Sequence, residues 1–272
     1  MNDQPRRLYI FTGKGGVGKT TLSKAFVRKL VEQEHEAIYL TFKNQSLGET
    51  HQGNAEAIVD GIKEVHLDLE DSARGYIDKK LNSKILASWI VKTPFFRALV
   101  NMVPGFNYLI YLGKILQMGH DNPRLIVVLD APASGHALTM VEATTNFKQI
   151  FESGIIFDDA TKMLSRLNDP AYTKIHVVSL PSPMSWQESI ELKSGLKERT
   201  PVSIEISVNN SIYSLLSEQL AELPEALKEK ALNEKRLIEE NASEMRCVFP
   251  HSLALDSKSI EMDLLGSVSK LI

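Results

Sequence analysis

Eight consecutive residues constrain this chain more than any others. Gly13-Lys14-Gly15-Gly16-Val17-Gly18-Lys19-Thr20 satisfies the pattern G-x-x-x-x-G-K-[ST]. A short apolar run, Leu8–Phe11, precedes it, and an amphipathic stretch, Thr20–Gln33, follows. Strand, glycine-rich turn and helix in that order form a phosphate cradle. Glycines let the backbone curl so that successive N–H groups converge, and the helix start adds the positive end of its dipole. The pattern predicts that residues Gly13, Lys14, Gly15, Gly16, Val17, Gly18, Lys19, Thr20 and Thr21 surround a nucleoside triphosphate. Lys19 would place a cation on the β and γ oxygens, and the Thr20 hydroxyl would serve as a Mg2+ ligand. The expected ligands are ATP and Mg2+.

The rest of the chain suits that start. Apolar runs at Leu8–Phe11, Ala37–Phe42, Leu125–Leu129, Ile175–Leu180, Val202–Val208 and Arg246–Phe249 are mostly continuous rather than alternating. This is the mark of strands covered on both faces of a parallel sheet. Helical periods lie between them, at Thr20–Gln33, Gln187–Arg199 and the charged stretch Leu215–Asn241. The order predicts a doubly wound, mostly parallel α/β sheet. Two helical stretches interrupt the rhythm, about 72–120 and 138–170, and are expected above the strand C-termini, where such folds bind ligands. No linker divides the chain, so residues 1–272 read as a single domain.

Composition serves mainly to exclude. A net charge of −3 gives no reason to expect a nucleic-acid surface. The single cysteine, Cys247, excludes an intrachain disulfide framework and a Cys-pair zinc site, and fits a reducing compartment. Leu8–Phe11 is too short for a signal-peptide core, and the apolar region Ile85–Met118 is broken by Lys92, Arg97, Lys114 and the Pro104-Gly105 pair. A cytoplasmic protein without stable membrane insertion is expected.

A second motif narrows the class. Leu125-Ile126-Val127-Val128-Leu129-Asp130 is an apolar strand ending in a carboxylate, which a magnesium site beside a phosphate loop requires. It runs directly into Ala131-Pro132-Ala133-Ser134-Gly135-His136-Ala137-Leu138. Together with Lys14, a lysine that an ordinary phosphate loop does not need, these residues resemble the arsenite-transport ATPase family, which includes the ATPases that target tail-anchored membrane proteins. Weaker agreements are His66–Asp71, Pro104-Gly105, Leu180-Pro181 with Glu188-Ser189, and Val208-Asn209. The resemblance implies a deviant P-loop NTPase working as a homodimer or as a heterodimer with a related chain. It implies that Lys14 reaches the partner's nucleotide, that Asp130 joins Thr20 at Mg2+, and that Asn209 contacts the base. It makes Asp130–Leu138 a γ-phosphate switch, within which His136 is either a switch residue or a structural cap. The catalytic set it implies is Lys14, Lys19 and Asp130.

The chain also departs from that family. The family's other switch reads roughly Thr-Asp-Pro-Ala-His-Ser-Leu, and here the stretch is Thr41-Phe42-Lys43-Asn44-Gln45-Ser46-Leu47-Gly48-Glu49. Ser46 and Leu47 set the register, so the family's water-orienting Asp falls on Phe42. Phenylalanine accepts neither a proton nor a hydrogen bond, and positioning is the main device of phosphoryl transfer. Slow hydrolysis is expected of this chain alone. Glu49 is the nearest carboxylate downstream. The family's zinc-binding and arsenite-binding cysteines have no counterpart.

Three functional readings follow: a nucleotide-driven switch serving a hydrophobic protein client, a hydrolysis-impaired regulatory or partner subunit, and a partition-type ATPase with a membrane- or DNA-binding tail. The last ranks lowest, because Asp263–Ile272 carries one cation, Lys270. The apolar residues within 85–112 read as core or dimer contacts, with an exposed client face as the alternative. The charged stretch Glu218–Glu244 reads as a solvated helix face.

Overall fold

The computed structural model describes residues 5–43, 53–150 and 155–272. The first strand, β1 (Leu8–Gly13), is buried at all six positions. It leads through the glycine loop into α1 (Lys19–Glu32) and then β2 (Ala37–Phe42). A hairpin follows, β3 (Ala55–Val59) and β4 (Ile62–Leu67). Four helices come next: α2 (Leu69–Leu81), α3 (Lys84–Lys92), α4 (Pro94–Met102) and α5 (Phe106–Asp121). Beyond them lie β5 (Ile126–Asp130), α6 (Ser134–Ile150), α7 (Ile155–Leu167), β6 (Thr173–Ser179) and α8 (Pro183–Lys197). The chain continues through β7 (Ser203–Ser211), α9 (Ile212–Leu216), α10 (Glu225–Glu240), β8 (Met245–Pro250) and α11 (Ser257–Val268).

These strands form one sheet in the order β3-β4-β2-β5-β1-β6-β7-β8, with only the β3–β4 pair antiparallel. The expected doubly wound, mostly parallel sheet is the architecture found. Alternate residues of β1 serve two cores. Tyr9 and Phe11 pack with Leu22, Phe26 and Leu30 of α1 and with Leu264 and Val268 of α11. Leu8 and Ile10 face the other way, into a larger cluster that includes Tyr111, Met140, Leu192 and Leu237. The 22, 26, 30 spacing on α1 is the one-face period of a helix laid on a sheet. Both helical insertions leave the sheet at a strand C-terminus, after Leu67 and after Asp130.

Several local expectations change. The β3–β4 hairpin was not anticipated, although Asp60-Gly61 between two apolar runs is a hairpin signal; both residues have positive φ, 50° and 88°. The 215–241 stretch is not one helix: a 3-10 turn spans Ser217–Glu222, and Pro224 stands just before α10. Nor is its charge wholly solvated. Glu234 is 2% exposed and accepts hydrogen bonds from Ser211 Oγ (3.1 Å) and Tyr213 N (3.0 Å), fastening α10 to the end of β7. The tail's apolar side chains Leu264, Leu265, Val268 and Leu271 are buried, so they are not available to a membrane. Among the described residues no helix is long and apolar enough to cross one.

His176 gives the fold a pH dependence. It is fully buried on β6 among Tyr9, Phe11 and Phe26. Burial, and then the charges of Lys174 and Arg246, hold its pKa well below the usual histidine value. Glu205, 3.8 Å from Nδ1, is the nearest opposing charge. The folded state therefore keeps the ring neutral, while the unfolded chain binds a proton below about pH 6.5. Stability is fully present above that pH and falls as the pH drops through it, by about 1 kcal/mol for each pH unit until the folded pKa is reached. His176→Phe is expected to flatten this slope between pH 6.5 and 5 relative to wild type. Denaturation midpoints at both pH values check it; equal slopes refute it.

Candidate nucleotide site

The glycine loop joins the C-terminal end of β1 to α1, and α1 begins without a side-chain cap, since its N-cap is Gly18. By contrast Asp68, Ser83, Thr93 and Asp256 cap α2, α3, α4 and α11 through their side chains. The first-turn N–H groups of α1 are thus left for another acceptor. Lys14, Gly15 and Gly16 lie exposed, Val17 is buried beneath the loop, and Gly18, Lys19 and Thr21 are half-buried. Gly18 has φ 88°, and a Cβ there would stand 2.2 Å from Asn209 Nδ2, so the turn requires glycine.

Lys19 folds back over the loop, with Nζ donating to the Lys14 carbonyl (2.9 Å) and the Gly13 carbonyl (3.2 Å). Burial lowers its pKa from the usual lysine value, and the Asp130 carboxylate opposes that shift. Asp130 stands at the end of β5, in register with Phe11 of β1. One of its oxygens, Oδ2, accepts from Thr20 Oγ1 at 2.6 Å and from Tyr39 OH at 2.8 Å. Burial first, and then Asp130, push the Tyr39 phenol up, so it remains a donor. Lys19, Thr20, Thr41, Phe42, Asp130 and the Ala131–Ala133 turn enclose a cavity of about 220 Å3. A hydroxyl and a carboxylate in contact suit Mg2+, a hard cation bound through one or two protein oxygens plus phosphate and water.

Phe42 forms part of that cavity's wall. Its ring stacks on Tyr111 of α5, with centroids 4.1 Å apart and planes 8° from parallel. Tyr108 lies next to it, and His136, exposed at the start of α6, meets Tyr108 edge-on. Residues 44–49, with Ser46, Leu47 and Glu49, lie outside the described residues.

Two further expected residues find partners of their own. Asn209, 8% exposed at the end of β7, donates from Nδ2 to the Val17 carbonyl (3.0 Å) and so braces the loop from below. Lys14 extends to α8, where Nζ is 2.7 Å from Glu188 Oε1 and 3.8 Å from Met184 Sδ. Tyr39 was missed by motif reading. The available signal was a tyrosine in a buried strand, whose hydroxyl must find a partner.

Strand, glycine loop, helix and the neighbouring strand-end carboxylate define a P-loop NTPase. The profile of the anion-transporting ATPase family matches residues 6–157, more than half of the chain, and the chain belongs to that family. A relative from Aquifex aeolicus, whose name describes an arsenical pump-driving ATPase, is 23% identical over 257 residues, covering 85% of this chain and 79% of its own. The ATPase BagA of Mycobacterium tuberculosis is 25% identical over 230 residues, 78% of this chain and 67% of that one. The ATPase ASNA1 homolog of Cryptosporidium parvum is 26% identical over 153 residues, 54% of this chain and 40% of its own.

Proposed function

We propose that this chain binds Mg-ATP and acts as a dimeric, nucleotide-driven switch coupled to a protein client. The convergence of Lys19, Thr20 and Asp130 on one small cavity at the glycine loop carries the reading. In it, the Gly13–Thr21 backbone holds the phosphates, Lys19 leaves the loop carbonyls for the β and γ oxygens, and Thr20 and Asp130 organise Mg2+. Asn209 offers its side-chain oxygen to the base while its amide stays on Val17. Lys14 crosses to the partner's nucleotide. ATP then selects the closed dimer by binding it better than the open one. The buried single cysteine fits a cytoplasmic setting.

A client surface has its own support. One side of α3 and α4 is buried through Ala87, Val91, Phe96 and Val100. The other side leaves Ile85, Trp89, Phe95 and Met102 each at least 67% exposed. Such a cluster suits an apolar protein segment.

A second reading, a partner subunit with impaired hydrolysis, is favoured by Phe42. It stands at the sequence position where the family resemblance expects a water-orienting carboxylate, and its ring stacks on Tyr111. This reading retains ATP binding and assigns turnover to a related chain.

The test is calorimetry with Mg-ATP, paired with solution mass with and without nucleotide. Saturable heat and an ATP-dependent doubling of mass are expected; no heat at millimolar ATP overturns the proposal. The Lys14–Glu188 pair is about half exposed and contributes at most about 1 kcal/mol. Glu188→Gln is therefore expected to lower the melting temperature by no more than about 2–4 °C while lowering the ATP concentration needed for the dimer, because Lys14 no longer has to leave a carboxylate.

A further inference from the structure

A second cavity, open to solvent and of about 620 Å3, lies between the carboxyl-terminal halves of α2, α5 and α7 and is bordered by Tyr172, the residue before β6. It is remote from the nucleotide loop. Thr173 pairs with Leu8 at the start of β1, whereas the loop leaves from Gly13 at its end. At about 3.3 Å per residue the two sites are separated by nearly the length of the strand, roughly 20 Å.

Its wall is strongly one-sided in charge. Lys79, Lys80, Lys162 and Arg166 line it, and no aspartate or glutamate among the described residues does. This stands out in a chain whose net charge is −3. Lys79 is tied to Asp121 outside the wall, at 3.2 Å. The Arg166 guanidinium lies over the Tyr172 ring at 5.0 Å, which holds it at the rim. Lys162 forms no ion pair among the described residues. Cations in the last turn of a helix do complement its dipole, and that suffices for Lys79 and Lys80. It does not account for Lys162, which stands earlier in α7. The floor is apolar and adaptable, formed by Leu116 of α5 and Met163 of α7.

We propose that this cavity binds a small soluble organic phosphate, a monoester carrying an apolar group. Arg166 and Lys162 take the phosphate, with the Arg166 fork giving parallel N–H donors. The apolar group lies on Leu116 and Met163 against the tyrosine walls. The volume falls within the range of small-molecule sites.

The test uses the full chain and 1-naphthyl phosphate, followed by calorimetry. Saturable binding is expected, with 1-naphthol and inorganic phosphate each at least tenfold weaker. The double variant Lys162→Gln/Arg166→Gln, exposed at both positions, is expected to weaken binding about tenfold or more with an unchanged melting curve. Lys19→Ala is expected to leave binding intact. Binding lost in Lys19→Ala but kept in the double variant would place the probe on the glycine loop and overturn the proposal. Equal binding of 1-naphthol, or none of the phosphate at millimolar concentration, would do the same.

Discussion

Gly13→Ala is expected to destabilise the chain by about 3 kcal/mol or more and to abolish Mg-ATP binding. Gly13 has φ 142°, and a Cβ at that position would stand 2.3 Å from the Val178 carbonyl oxygen. Val178 belongs to β6, hydrogen-bonded beside β1 in the middle of the sheet, so neither partner can retreat without breaking the ladder. Backbone strain at such a φ and forced overpacking each cost about 1–3 kcal/mol. For a chain of this size that is a fall of roughly 6–12 °C in melting temperature. Binding fails for a related reason: Gly13 opens the phosphate loop, so its displacement shifts the backbone amides that would face the phosphates. Gly18→Ala is the informative comparison. Its Cβ would meet a side-chain amide rather than backbone, Asn209 Nδ2 at 2.2 Å. Asn209 can swing away from Val17 at the cost of one hydrogen bond, so a smaller loss of stability is expected. Thermal melts and calorimetry on both variants decide the matter; a Gly13→Ala protein that melts within 1 °C of wild type would mean that β1 and β6 do not approach this closely.

Phe42→Asp is expected to raise ATP turnover at least tenfold while lowering stability by about 2–3 kcal/mol. The stability loss comes from the stack on Tyr111 and from placing a carboxylate in a half-buried wall near Asp130; fully buried Phe→Ala changes cost about 3–5 kcal/mol, and Phe42 is only partly buried. The gain comes from a group able to orient water at the γ-phosphate. A positioned base contributes about 100- to 10,000-fold, and only part of that is recovered in a frame shaped around a ring. Phe42→Ala separates the two effects, since it removes the stack without adding a carboxylate and should leave turnover at the wild-type level. Should wild type hydrolyse ATP as fast as Phe42→Asp, or Phe42→Ala match the aspartate variant, the account of Phe42 is wrong.

Sequence reading was most successful where structure is locally encoded. The phosphate loop is eight contiguous residues, the strand before it is an unbroken apolar run and the helix after it is amphipathic, so strand, turn and helix could be placed to within a residue or two. The β3–β4 hairpin escaped because β3, Ala55–Val59, is an exposed edge strand. Only its Asp60-Gly61 turn carried a signal. Glu234 escaped because a buried glutamate and a solvated one look alike in a charged helix; the difference lies in Ser211 and Tyr213, more than twenty residues away.

The amino-acid sequence alone determined the phosphate loop, the strand-end carboxylate Asp130 and the parallel α/β alternation around them. Each follows from neighbours along the chain, through backbone freedom at glycine and the periodicity of apolar side chains. The tertiary structure decided what those residues meet: Tyr39 on Asp130, Glu188 on Lys14, Tyr111 on Phe42, and a cavity wall whose cations come from α2 and α7. These partners stand tens to more than a hundred residues apart, and only packing against the two faces of one sheet brings them within contact distance.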